Sequence, residues 1–199
     1  MATAKSLTPA EIQKVLAYIS TQANSQRNRA MFCITVLAGL RVSEVAGLTI
    51  GDVRDADGTV KTEIYLSADR VKHGHARTIY LNQRLQAEIA EYTAERTWLF
   101  ESQPLFCTNR GLRHAFTANT LTQHFHYLYK RAGVAGASSH SGRKTFITSL
   151  ASQGVSVFVL ASLAGHKSIS TTQRYVSVND EIKRRIRHCM QCLQSNKKM

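Results

Sequence analysis

Acidic residues are scarce in this sequence. Thirteen Asp and Glu stand against 26 Lys and Arg, a formal net charge of +13 over 199 residues. A domain with that excess repels itself unless a polyanion balances it, so DNA or RNA is favoured over a neutral ligand as partner. Long apolar runs are missing too: none approaches the roughly 20 residues of a membrane helix. The opening "MATAKSLTPAEIQ" lacks the apolar core of a signal peptide. A cytoplasmic protein is therefore expected. Cysteines number four (Cys33, Cys107, Cys189, Cys192), and without a secretory signal they argue against a disulfide framework. Cys33 in "MFCITVLAGL" and Cys107 after "PLF" read as small buried side chains. "HCMQC", from His188 to Cys192, offers three potential zinc ligands but no second ligand pair, so no metal is expected.

What is present is helical punctuation. "LTPAEIQKVLAYIS" starts with Thr8 as N-cap, Pro9 in the first turn and Glu11 to close a capping box. Ile12, Val15, Leu16 and Ile19 then recur at helical spacing. A second helix is predicted from about Gln26 to Ala38, ending at Gly39, and a short third one opens at Arg41. "TVKTEIYLS" and "ARTIYLN" alternate apolar and polar residues with period two and flank a turn at Gly74, which predicts a β-hairpin carrying Lys72. Helix returns at "QRLQAEIAEYTAER" and "ANTLTQHFHYLYKRAG". It continues from "SGRKTFITSLASQG" to the end, with breaks at Gly154, Gly165 and Asn179. No interdomain linker and no internal repeat is visible. The fold class is mainly α with a small antiparallel β-sheet.

Several basic side chains sit where polarity is otherwise unwelcome. Arg41 follows an apolar run and opens a helix, which suits a phosphate. Its spacing to Glu44 suits an intrahelical salt bridge equally well. His140 and Arg143 stand three apart at a helix start, so both are expected on one face, able to hold two oxygens of one phosphate. His166 follows the helix-ending Gly165. Tyr175 comes nine residues later, a weak nucleophile unless its proton is removed and its anion stabilised. The ordered set Arg, Lys, His-x-x-Arg, His, Tyr is what metal-free phosphodiester transfer requires: cations for the phosphate oxygens, an in-line nucleophile and a general acid.

These pieces resemble the tyrosine recombinases, the phage-integrase family, across its catalytic domain. The match rests on "AGLRVSEVAGLTIGDV", "HSGRKTFITSLASQGVSVFVLASLAGHKSISTTQRYVSV" and, more loosely, the hairpin "VKHGHARTIYL". The resemblance implies that Tyr175 attacks the scissile phosphate to make a 3′-phosphotyrosyl link. Arg41 and Arg143 would bind the nonbridging oxygens, and Lys72 would protonate the leaving 5′-oxygen. His140 would assist proton transfer, His166 would hydrogen-bond the phosphate, and Glu44 would orient the site. No cofactor or metal is implied. The partners implied are double-stranded DNA with paired recombination sites, three further protomers in a homotetramer, and an accessory DNA-bending or directionality protein. Lys130 and Arg131 are expected as DNA-backbone contacts. The family's N-terminal core-binding domain is not among these residues, so 1–199 is expected to be a single catalytic domain, near in size to fimbrial-switch recombinases. Residues 180–199 are expected as a C-terminal helix and basic tail, docked on their own body or on a neighbouring protomer. The location implied is the nucleoid of a prokaryotic host. A catalytically silent DNA-binding regulator and a type IB topoisomerase share these features. The intact residue set and the "LAGHKSISTTQRY" segment favour the recombinase.

Overall fold

The computed structural model describes residues 4–70, 76–94, 100–109 and 114–175. Among them helix α1 spans Pro9–Ser20, and its start follows the sequence reading. The Glu11 amide donates to the Thr8 hydroxyl (3.3 Å) and the Thr8 amide donates back to the Glu11 carboxylate (3.0 Å). Val15, Leu16 and Ile19 are buried on one face, as their spacing predicts.

Helix α2 (Ser25–Leu37) is the hub. It packs against α1, against α5 (Gln83–Thr93) and against α7 (Ser141–Ser152). Packed against all three, it is enclosed from Ala30 to Val36, where every residue is buried. Cys33 is one of them, and Cys107 is buried as well, as both were expected to be. Beyond α2 come two short helices, α3 (Val42–Ala46) and α4 (Ile50–Val53). Then β1 (Glu63–Leu66) pairs antiparallel with β2 (Arg77–Tyr80), with Ile64 opposite Ile79 and Leu66 opposite Arg77. A 3-10 turn, Ala68–Arg70, leads out of β1.

Helix α6 (Ala118–Arg131) packs against α1 and α3. Helix α8 (Val157–Ala164) packs against α7, β2 and the short α9 (Ile169–Gln173). The start of α3, the start of β2, the body of α7 and the α8–α9 turn therefore meet at one junction.

Two glycines make that junction possible. Gly39, between α2 and α3, has φ +68, and a Cβ there would lie 2.3 Å from Phe146 of α7. Gly165 ends α8 with φ +58, and a Cβ would lie 2.9 Å from the Arg77 side chain. No helix among the described residues is long and apolar enough to cross a membrane.

Candidate active site

Arg41 immediately precedes α3 in extended backbone geometry. Its amide donates to Glu44 Oε2 (2.7 Å) and its Nη1 to Glu44 Oε1 (2.8 Å), while Nη2 donates to the Gly165 carbonyl (2.9 Å). The salt bridge that the spacing allowed does form, and the Arg41 side chain nevertheless keeps 18% of its surface exposed. Both readings of this arginine are thus compatible in one geometry.

Arg143 rises from α7 and is buried. Nη1 donates to the Gly39 carbonyl (2.6 Å) and Nη2 to the Ala164 carbonyl. Arg41 and Arg143 therefore end on adjacent carbonyls, those of Gly165 and Ala164, at the turn that leads to His166. Burial, then the charge of Arg41, pushes the Arg143 guanidinium down to about 9, which still leaves it protonated at neutral pH.

His166 follows that turn, and its Nδ1 lies 2.8 Å from the buried Thr172 hydroxyl of α9. Burial pushes the imidazole down to about 4, reinforced by the charges of Arg143, Arg41 and Arg77, so the ring is neutral at pH 7. When the threonine donates to Nδ1, Nε2 carries the proton and can serve as a donor. Tyr175 closes the group just beyond α9, its amide donating to the Thr172 carbonyl (2.9 Å). Its ring stacks on His166 at 6.1 Å between centroids and an interplanar angle of 22°. The tyrosine is half-buried.

The other expected residues are placed differently. His140 precedes α7, stays exposed and makes no side-chain cap bond, whereas Arg143 turns inward to two carbonyls. His140 caps α7 with helical backbone angles (φ −90, ψ −9), its carbonyl accepting the Lys144 amide (2.9 Å), so the two residues differ in burial at one helix start. Lys130 and Arg131 are exposed at the end of α6, with the Arg131 guanidinium 5.9 Å from the Tyr127 ring centroid. No described contact joins either of them to the cluster. Lys72, the 180–199 segment and the "HCMQC" run lie outside the described residues, among which no group of metal-ligating side chains gathers.

One member of the cluster was missed by sequence reasoning. Arg77, the first residue of β2, is buried and donates through Nη1 and Nη2 to both oxygens of Glu44, each at 2.7 Å. Glu44 is thus gripped from two sides. Burial alone would raise its carboxyl, but the hydrogen bonds and charges of Arg77 and Arg41 hold it at about 2. The signal was legible: the alternation of "ARTIYL" puts Arg77 in register with Ile79 and Leu81, on the inward side of the strand. An arginine at a core position of a strand demands a buried anion. Beside this pair a cleft of about 370 Å³ opens between β2 and α8, lined by Arg77, Thr78, Tyr80, Ser162, Gly165 and His166 among others.

Comparisons with known proteins agree with this geometry. A sequence model of the Phage integrase family matches residues 5–181. Tyrosine recombinase XerA of Pyrococcus furiosus is 31% identical over 175 residues, covering 87% of this chain and 57% of that protein. Tyrosine recombinase XerC of Pelobacter propionicus is 30% identical over 175 residues, covering 85% and 55%. The chain spans little more than half the length of these curated relatives. Among solved structures, a XerA recombinase superposes with a TM-score of 0.72 at 26% identity, covering 93% of this chain and 65% of that one. The Tn1549 transposon integrase in complex with a circular intermediate DNA superposes with a TM-score of 0.76 at 22% identity, covering 94% and 67%, a likeness of fold. A family match that runs from before α1 to beyond Tyr175 leaves little of the chain unaccounted for, and the chain belongs to the phage integrase family.

Proposed function

We propose that this domain is the catalytic part of a site-specific DNA recombinase that cuts and rejoins DNA through a 3′-phosphotyrosyl intermediate. In the first step the Tyr175 oxygen attacks the scissile phosphorus as the bond from phosphorus to the 5′-oxygen breaks. The phenolic proton passes toward His140 or solvent, and Lys72 gives a proton to the departing oxygen. The new ester conserves the energy of the old one, so the exchange runs without ATP or metal. The 5′-hydroxyl of a partner strand then attacks the phosphotyrosine, which gives a Holliday junction after one pair of exchanges.

The observation that carries this reading is the convergence of Arg41 and Arg143 on neighbouring carbonyls beside the His166–Tyr175 stack. A guanidinium has five N–H donors, so these carbonyl bonds leave others for phosphate oxygens. The neutral His166 adds a donor without adding charge. The substrate is double-stranded DNA with paired sites, and the working form is a homotetramer in which residues 180–199 dock between protomers. An accessory DNA-bending or directionality protein, with Lys130 and Arg131 on the DNA backbone, completes the proposal for an enzyme of the nucleoid.

Covalent trapping tests it. The protein is incubated in EDTA with labelled DNA from around its gene, nicked near each candidate site, beside the Tyr175→Phe variant. A metal-independent adduct on a denaturing gel that disappears in the variant is expected, and it maps the cleavage site. DNA binding with no adduct would point instead to a regulator that keeps the fold without the chemistry.

A further inference from the structure

The Glu44 carboxylate is saturated. Its Oε1 accepts Nη1 of Arg41 (2.8 Å) and Nη1 of Arg77 (2.7 Å), and its Oε2 accepts the Arg41 amide (2.7 Å) and Nη2 of Arg77 (2.7 Å). A carboxylate has about four lone-pair sites, and these donors fill them. Arg77 takes one on each oxygen. Arg41 is left with a single guanidinium bond to the acid, and its Nη2 turns instead to the Gly165 carbonyl. Arg77 reaches that second anchor too. It packs so closely against Gly165 that a Cβ there would lie 2.9 Å from its Cδ and Nη1.

We infer that Arg77 is a positioning residue that occupies Glu44 and so keeps Arg41 free to face the phosphate. This rests on the role of Arg41 in the proposed function. With only Arg41 beside it, Glu44 would have both oxygens open to the planar fork of one guanidinium, and the bidentate pair is the stronger contact. Arg41 would then turn its donors and its charge toward the acid. With Arg77 in place, two of the five N–H groups of the Arg41 guanidinium are engaged and three remain, on a side chain that keeps 18% of its surface exposed. Arg77 does not face the phosphate itself, being buried with both Nη atoms on Glu44.

Packing alone is a poor explanation of Arg77. Its Nε is buried and finds no hydrogen-bond partner among the described residues. A buried ion pair is often no more stabilising than apolar side chains of similar volume. The next inward positions along the chain, Ile79 and Leu81, are apolar. What an arginine adds is a cation whose two prongs match the two oxygens of one carboxylate.

The experiment measures single-turnover formation of the Tyr175 adduct on two duplexes carrying the mapped site. One has the natural scissile phosphate. In the other a methyl group replaces one nonbridging oxygen, which removes the negative charge that Arg41 is there to meet. On the natural substrate Arg41→Ala and Arg77→Met are each expected to slow adduct formation by about 10²-fold relative to the parent. On the neutral substrate both deficits should shrink to less than about 10-fold. A variant that merely loosens the fold would lose rate on both substrates alike. Arg77→Lys keeps a buried cation but offers one prong, so it should show a smaller deficit with the same dependence on substrate. Urea denaturation reports which variants fold, and Arg77→Lys decides the matter if Arg77→Met does not. Should the folded Arg77 variant form the adduct at the parent rate on the natural substrate, the positioning role is overturned. It is overturned equally if that variant's deficit stays the same on both substrates while that of Arg41→Ala shrinks. Should the Arg41→Ala deficit not shrink, the phosphate role of Arg41 falls and the positioning role with it. The Tyr175 adduct of the parent would survive that result, so this failure is separable from failure of the recombinase reading.

Discussion

Arg143 and Arg77 are both buried arginines of one cluster, but they are held by opposite means. Arg143 is tied to two uncharged carbonyls, those of Gly39 and Ala164. Arg77 is tied to a carboxylate, Glu44, which also takes Arg41. Carbonyl dipoles orient a guanidinium without cancelling its charge, and a carboxylate orients it while cancelling one. Three guanidinium groups and one carboxylate, beside a neutral His166, leave two net positive charges. A phosphodiester carries one negative charge, and about one more develops on its oxygens as the transition state forms. The difference between the two sockets therefore sets how much positive charge the site presents.

The comparison can be broken most severely at Glu44. Glu44→Gln leaves the Arg77 charge buried with no counterion, and a loss of about 3–5 kcal/mol in urea denaturation is expected. The double variant Glu44→Gln, Arg77→Met should recover part of that loss, since the orphaned charge goes with it. Arg143→Lys tests the other socket. A lysine amine cannot span the carbonyls of Gly39 and Ala164 and still present a fork to phosphate. Cleavage should fall by about 10²–10³-fold, with DNA affinity changed far less.

A pH series sharpens the contrast. Glu44 is held from 4.5 down to about 2. Its contribution to stability is fully present above pH 4.5 and is lost as the pH falls toward 2, on the order of 3 kcal/mol in all. Urea midpoints of the parent protein should drop across that window, and those of Glu44→Gln should lack this component. The smallest effect is at His166. Its imidazole should titrate near 4 by NMR, rise in Arg77→Met, and rise further in Arg143→Met, whose charge bears on the ring more strongly.

Local chemistry was the legible part of this fold. The Thr8–Glu11 capping box, the helix-ending Gly165 and the alternation that became β1 and β2 are each written within a few residues. Arg41, Arg143, His166 and Tyr175 stood out as members of an ordered set, each near a recognisable helix boundary, and the fold gathers them at one junction. Tertiary surroundings were less so. From α2 alone nothing says that one helix is enclosed by both α5 and α7, and Arg29 and Glu88 meet across 59 residues of chain to pair there. Arg77 was given no role when its hairpin was matched, and only the strand's register, followed inward to Ile79 and Leu81, marks it as a core arginine. His140 was legible as the residue that opens α7, but its exposure beside a buried Arg143 was not, because burial depends on what packs over the helix start.

The sharing of Glu44 has a consequence for how this domain can change over generations. Arg41 and Arg77 are 36 positions apart, yet each depends on the same carboxylate. A substitution at any one of the three alters the cost of substitutions at the other two, so their effects are not additive. Lineages should therefore keep or exchange the three as a block, whereas Arg143, whose hydrogen bonds go to main-chain carbonyls, is tied to them only through the charges it feels.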